Sequence, residues 1–137
     1  MRPLALALLL VVAAACDGAG PEYSGPADYA YTLTVSCFCI PLGPLRVTVL
    51  DDAVVDVVAL DAPDGSEGHP EFEDAIRDAA LTLAELSELA ARAEREAAEV
   101  RVEYDPVRGY PTLLSIDWHA GIADDEVYYT ATDYEAR

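Results

Sequence analysis

The stretch EFEDAIRDAALTLAELSELAARAEREAA, residues 71–98, decides the fold. Phe72, Ile76, Ala79, Leu83, Leu86, Ala90, Ala93 and Ala97 recur at alternating spacings of four and three, which winds them onto one narrow stripe of a helix. As a single helix the stretch would be about 42 Å long at 1.5 Å per residue, longer than the strands it would cover. Thr82 followed by Glu85 forms a capping-box pattern, which offers a break. The spacing therefore predicts a short helix followed by a main helix from Leu83 to Ala98. The many alanines imply close approach to the surface beneath.

On both sides of this stretch the period is two. In YAYTLTVSCFCI, residues 29–40, Tyr29, Tyr31, Leu33, Val35, Cys37 and Cys39 face one way, and Ala30, Thr32, Thr34 and Ser36 the other. After the turn PLGP, LRVTVL puts Leu45, Val47 and Val49 inward. Asp51 and Asp52 tolerate left-handed geometry and predict a tight hairpin into VVDVVAL, residues 54–60. The segment APDGSEGHP, residues 62–70, is a loop. Beyond the helices, VRVEY and TLLSIDW alternate again, and the latter gathers Leu114, Ile116 and Trp118 on one face. Between them Asp105 and Pro106 open a type I turn, with Gly109 where a positive φ is needed. HAGIADDE is a second loop and VYYTATDY, residues 127–134, a last strand. The order is three strands, helix, three strands. Strands joined by short loops pair antiparallel, so the expectation is an α+β fold: two layers, with one antiparallel sheet of about six strands and helix packed on one face.

The first fifteen residues, MRPLALALLLVVAAA, join Arg2 to an apolar run from Leu4 to Val12 and three alanines before Cys16. This is the pattern of an export signal peptide, and the run is too short to span a bilayer. The sequence V-A-A-A-C resembles the lipobox of bacterial lipoproteins, whose cysteine receives a diacylglyceryl group and becomes the new N-terminus. Ala13 stands where leucine is usual. The alternative is an ordinary secretory signal that leaves Cys16 as a free thiol. Two acyl chains on Cys16 suffice for stable anchoring, whereas one is marginal. The expected organisation is a signal peptide over 1–15, a lipidated Cys16 with a Gly- and Pro-rich tether over 16–28, and one globular domain over 29–137. The address is the cell envelope, as a membrane-anchored lipoprotein on the periplasmic or outer face.

Charge excludes one class of partner. The full chain carries a net charge of −18 and has no lysine; once Arg2 leaves with the signal, 26 acidic side chains stand against seven arginines, a net charge of −19. Such a surface repels phosphate backbones and anionic lipid. Nucleic acid is therefore not a partner, and the membrane is held only through the lipid on Cys16.

Several segments together carry a family resemblance: C-F-C at 37–39, V-T-V-L-D-D at 47–52, T-L-A-E-L at 82–86, V-E-Y-D-P-V-R-G-Y-P-T at 102–112 and D-D-E at 124–126. With these, the chain resembles a bacterial family of small exported proteins, domain-of-unknown-function family 6174, over about Tyr29 to Tyr134. Ala53 stands where that family usually has glycine. The resemblance implies this fold and an extracytoplasmic address, and no activity.

With Cys16 lipidated, Cys37 and Cys39 remain as an even number of thiols in an oxidising compartment. Two strand positions apart, their Cα atoms would lie about 6.6 Å from each other, near the upper limit for a disulfide. Three readings stay open: a structural bridge fixing a bulge at the strand end, a redox-active dithiol, or a soft-metal site such as Cu(I) between two thiolates. The first is preferred, because a reactive thiolate needs exposure and positive charge nearby. Asp117, Asp124, Asp125 and Glu126 surround one loop and could offer oxygens to calcium, although their spacing is not that of an EF-hand and a solvated loop is preferred. His69 and His119 have no visible catalytic companion, and no catalytic or cofactor-binding motif occurs. Tyr104, Asp105, Gly109, Tyr110 and Pro111 form a candidate recognition loop, although core capping is the preferred reading for its tyrosines. The sequence thus points to a non-catalytic binding module without cofactor, whose partner is an envelope protein or small ligand. The alternative is a thiol redox or soft-metal-handling protein using the C-x-C pair.

Overall fold

The computed structural model describes residues 20–137. The segment expected to be an export signal, and Cys16, lie outside the described residues. The strands are β1 (Tyr29–Cys37), β2 (Pro44–Leu50), β3 (Ala53–Ala59), β4 (Glu99–Tyr104), β5 (Pro111–Asp117) and β6 (Glu126–Ala136). They form one antiparallel sheet in the order β3-β2-β1-β6-β5-β4. Two three-stranded meanders therefore meet where the first strand pairs with the last.

The α+β class is as expected, but the arrangement differs in two respects. The short helix and the main helix are α1 (Pro70–Ala79) and α2 (Leu83–Glu96), the second ending at Glu96 and not at Ala98, and the strands do not lie in chain order across the sheet. The break between the helices has a local cause. The Thr82 side chain accepts from the Glu85 N–H while the Glu85 carboxylate accepts from the Thr82 N–H, so the capping box is complete. Pro70 starts α1, where a missing N–H is harmless.

Phe72 and Ile76 of α1 and Leu83, Leu86, Ala90 and Ala93 of α2 are buried against Tyr31, Leu33, Val47, Leu114 and Ile116 of the sheet. Ala90 and Ala93 are fully buried, which lets α2 approach the sheet closely. On the outer face Arg46 reaches from β2 across β1 to β6, donating to the Asp133 carbonyl at 2.7 Å and to Glu135 at 2.5 Å. On the same face Ala30 and Thr32 are buried, and Thr32 pairs with Arg46 in the sheet register.

Both predicted turns form. Asp51 and Asp52 have φ of 50° and 59°, and Gly109 has φ of 76°. Asp105 Oδ1 accepts from the N–H groups of Val107 and Arg108. Within residues 20–28, read from composition as tether, the chain lies against the domain. Tyr23 packs on the core, Ser24 N–H donates to the Arg108 carbonyl and Asp52 N–H to the Ala27 carbonyl.

Candidate functional site

Six strands span about 24 Å, while two helices side by side cover about 20 Å. Here α1 sits over β3, and α2 sits over β5 and β4. The middle of the sheet, where β1 meets β6, is thus left partly open at one end. A cleft of about 440 Å³ lies there. Val35 and Cys37 of β1 and Val127 and Tyr129 of β6 form its floor, Ala75, Asp78 and Ala79 of α1 one wall, and Leu81 and Leu89 the other. The lip is Cys39, Ile40 and Leu42. Alanines at 75 and 79 are too short to fill the space between the helices. At these two positions the alanines border a cavity instead of bringing the helix closer, contrary to the expectation from sequence.

The lip is apolar, with Cys39 and Ile40 exposed and Leu42 buried. Ile40 is 54% exposed at the cleft and its chain neighbour Phe38 82%, and among the described residues the only ionised side chain lining the cleft is Asp78. Large apolar side chains grouped beside an apolar hollow mark a binding surface more often than scattered ones do. Burial raises the pKa of the Tyr129 phenol, opposed by Arg92. The floor thus keeps a neutral hydroxyl.

The sulfurs of Cys37 and Cys39 are bridged at this lip, and their Cα atoms are 5.2 Å apart. That is closer than a straight strand gives, because β1 ends at Cys37 and the chain bends at Phe38 and Cys39. The bridge lies half in the cleft and half in solvent, since Cys37 is partly buried and Cys39 exposed.

A family model for a family of unknown function, DUF6174, matches residues 22–136. The chain belongs to DUF6174. No curated protein and no solved structure matches it. The matched span of the DUF6174 domain begins within the segment that packs on the tyrosines, ahead of β1.

Elsewhere the DUF6174 domain places two further groups of residues. The recognition loop does not present its aromatic residues: Tyr110 is buried, Pro111 is fully buried and Tyr104 half-buried, while Asp105 and Gly109 are spent on the turn itself. Tyr110 stacks on Tyr134 with centroids 5.8 Å apart, and Tyr134 stacks on Tyr29 at 5.7 Å. Arg108 lies 4.3 Å over the Tyr134 ring, and the Tyr23 and Tyr134 hydroxyls are 3.1 Å apart. This tyrosine stack closes the end of the core opposite the cleft.

The second group is the acidic loop. Among the described residues no three His, Cys, Asp or Glu side chains gather as a metal site. Asp117 accepts the His119 N–H, Glu126 accepts the Tyr128 hydroxyl, and Asp125 turns onto His119 Nδ1 at 2.8 Å. The carboxylates of Asp117, Asp125 and Glu126 therefore serve separate local contacts, and Asp124 takes a positive φ of 75° in the loop. The His119–Asp125 pair was not foreseen from sequence. Among the described residues no Ser, Cys or Tyr hydrogen-bonds that imidazole.

Proposed function

We propose that this protein is a lipid-anchored, non-catalytic binding module of the bacterial envelope, tethered through Cys16, that seats an apolar group of its partner in the cleft between α1 and α2. The observation that carries this reading is the apolar cleft of about 440 Å³ with Ile40 exposed at its lip, beside the exposed Phe38 in the chain. Its volume lies in the range of small-ligand sites, about 300–1,000 Å³. The strongly acidic surface favours a neutral or basic partner and disfavours fatty acids and other anions.

A photo-crosslinker at position 40, used on intact membranes, tests it. One reproducible adduct is expected, lost when Ala79→Leu fills the cleft while the fold persists. An adduct pattern that Ala79→Leu leaves unchanged overturns the cleft as the site. Intact mass of the mature protein tests the anchor separately: a diacylglyceryl mass on Cys16 supports it, and a free thiol there removes it.

A second reading, a thiol redox protein, is supported by the position of the C-x-C bridge at the mouth of the cleft with Cys39 in solvent. Equilibration with glutathione buffers separates the two. A potential below about −300 mV marks the bridge as inert.

A further inference from the structure

The two edges of the sheet are built differently. Along β4, Glu99, Arg101 and Glu103 alternate on the exposed side, and Arg101 pairs with Glu103. Charges of this kind deter a further strand. In contrast, β3 reads AVVDVVA, with Asp56 its only charge, and leaves Val55 54% and Val58 49% exposed. A bulge falls between its pairs at Asp56 and Val54, so the regular part of the edge runs from Asp56 to Ala59. The outward N–H and C=O groups of this run are offered to whatever approaches.

Beside this edge runs α1. Two adjoining hollows of about 390 and 320 Å³ separate β3 from α1, sharing Val57, Glu73 and Ile76 in their walls. Together they make a trough parallel to the open edge. Its charged groups are Asp56, Glu67, Glu73 and Arg77, and Arg77 is held by Asp74 at 2.9 Å. The trough is therefore net negative, on a molecule that is itself strongly negative.

We infer that β3 takes up an extended, basic polypeptide segment of a partner as a seventh, edge-paired strand, whose cationic side chains reach Glu73 across the trough. Main-chain hydrogen bonds to an open edge supply affinity, and alternate side chains supply selectivity. Pairing over Asp56–Ala59 fixes the length at about four or five residues. A second copy of this chain is the less suitable occupant, because two molecules of net charge −18 repel each other. This surface lies on the opposite flank of α1 from the cleft and does not depend on what the cleft binds.

The test uses two synthetic peptides of alternating valine and lysine or valine and glutamate, with amide exchange and chemical shifts followed by NMR. The basic peptide should protect amides within Asp56–Ala59, and the acidic one should not. Glu73→Lys, on the exposed side of α1, should weaken the basic peptide roughly threefold to tenfold without unfolding the domain. Val58→Lys, which places a charge on the edge, should do the same. Ala79→Leu should leave this binding unchanged, separating it from the cleft. Equal binding of both peptides, protection confined to other strands, or a peptide-free dimer paired through β3 overturns the inference.

Discussion

The hydroxyl of Tyr29 accepts a hydrogen bond from the backbone N–H of Leu83 at 2.8 Å, so the first strand of the sheet satisfies a donor in the first turn of α2. One strand position pair further, the Tyr31 hydroxyl donates to the Leu81 carbonyl at 2.5 Å. Both phenols thus reach from the sheet into the junction between the helices. Tyr29→Phe keeps the ring and strands the Leu83 N–H in a buried site. A loss of about 1–3 kcal/mol is expected. Urea unfolding of the variant measures it, and an unchanged midpoint would mean that water replaces the phenol.

The same burial makes the fold sensitive to alkali. Burial, opposed by the Leu83 hydrogen bond, pushes the Tyr29 phenol from 10.0 up to about 12, and burial pushes Tyr31 and Tyr23 up as well. A raised folded pKa means that the folded state holds the proton more tightly than the unfolded chain. The contribution is fully present below pH 10, the unfolded value, and is lost as pH rises towards 12. Unfolding midpoints should fall above pH 10, in step with tyrosinate absorbance. Ionisation near pH 10 with no loss of stability contradicts this account.

A β-bulge on β6 accounts for the tyrosine stack. Thr32 pairs with Thr132 but Ala30 pairs with Glu135, so β6 carries one extra residue, and Asp133 takes φ of 50° there. The extra residue turns Tyr134 onto the core face. Arg46 donates to the Asp133 carbonyl and holds the bulge from the outer side. Aspartate tolerates a left-handed backbone and a β-branched residue does not. Asp133→Gly should change stability by less than about 1 kcal/mol, whereas Asp133→Val should cost about 1–3 kcal/mol. Near-ultraviolet circular dichroism of the tyrosines reports whether Tyr134 stays stacked.

The bulge also marks where sequence stops being legible. Strict alternation from Val127 through Tyr129 and Ala131 leads to Asp133, so nothing in the pattern announces Tyr134 as a core residue. The strands, both aspartate-rich and glycine turns, and the break at Thr82 were legible, because each depends on contacts a few residues apart. The sheet order was not, since the β1–β6 pairing joins the two ends of the chain. The cleft was hidden for a related reason: alanine at 75, 79, 90 and 93 looks alike in sequence, yet the first two border an opening and the last two meet the sheet. Which occurs depends on where the two helices land across the strands.

The Cys37–Cys39 bridge offers a prediction that combines local chemistry with this topology. β1 pairs with β2 only as far as Thr34, while its pairing with β6 continues to Cys37. The last three residues of β1 are therefore held on one side alone, and the bridge stiffens them where they form the cleft floor. A loop of three residues gives about 1.6 kcal/mol in the chain-entropy view. The double variant Cys37→Ser, Cys39→Ser should stay folded, lose about 1–2 kcal/mol, and exchange the amides of residues 35–37 faster than those of 29–34. Global unfolding of the variant would show that the bridge supports the whole domain. Unaltered exchange at residues 35–37 would show that β6 alone holds the strand end, and the lip of the cleft would then owe its shape to packing, without help from the disulfide.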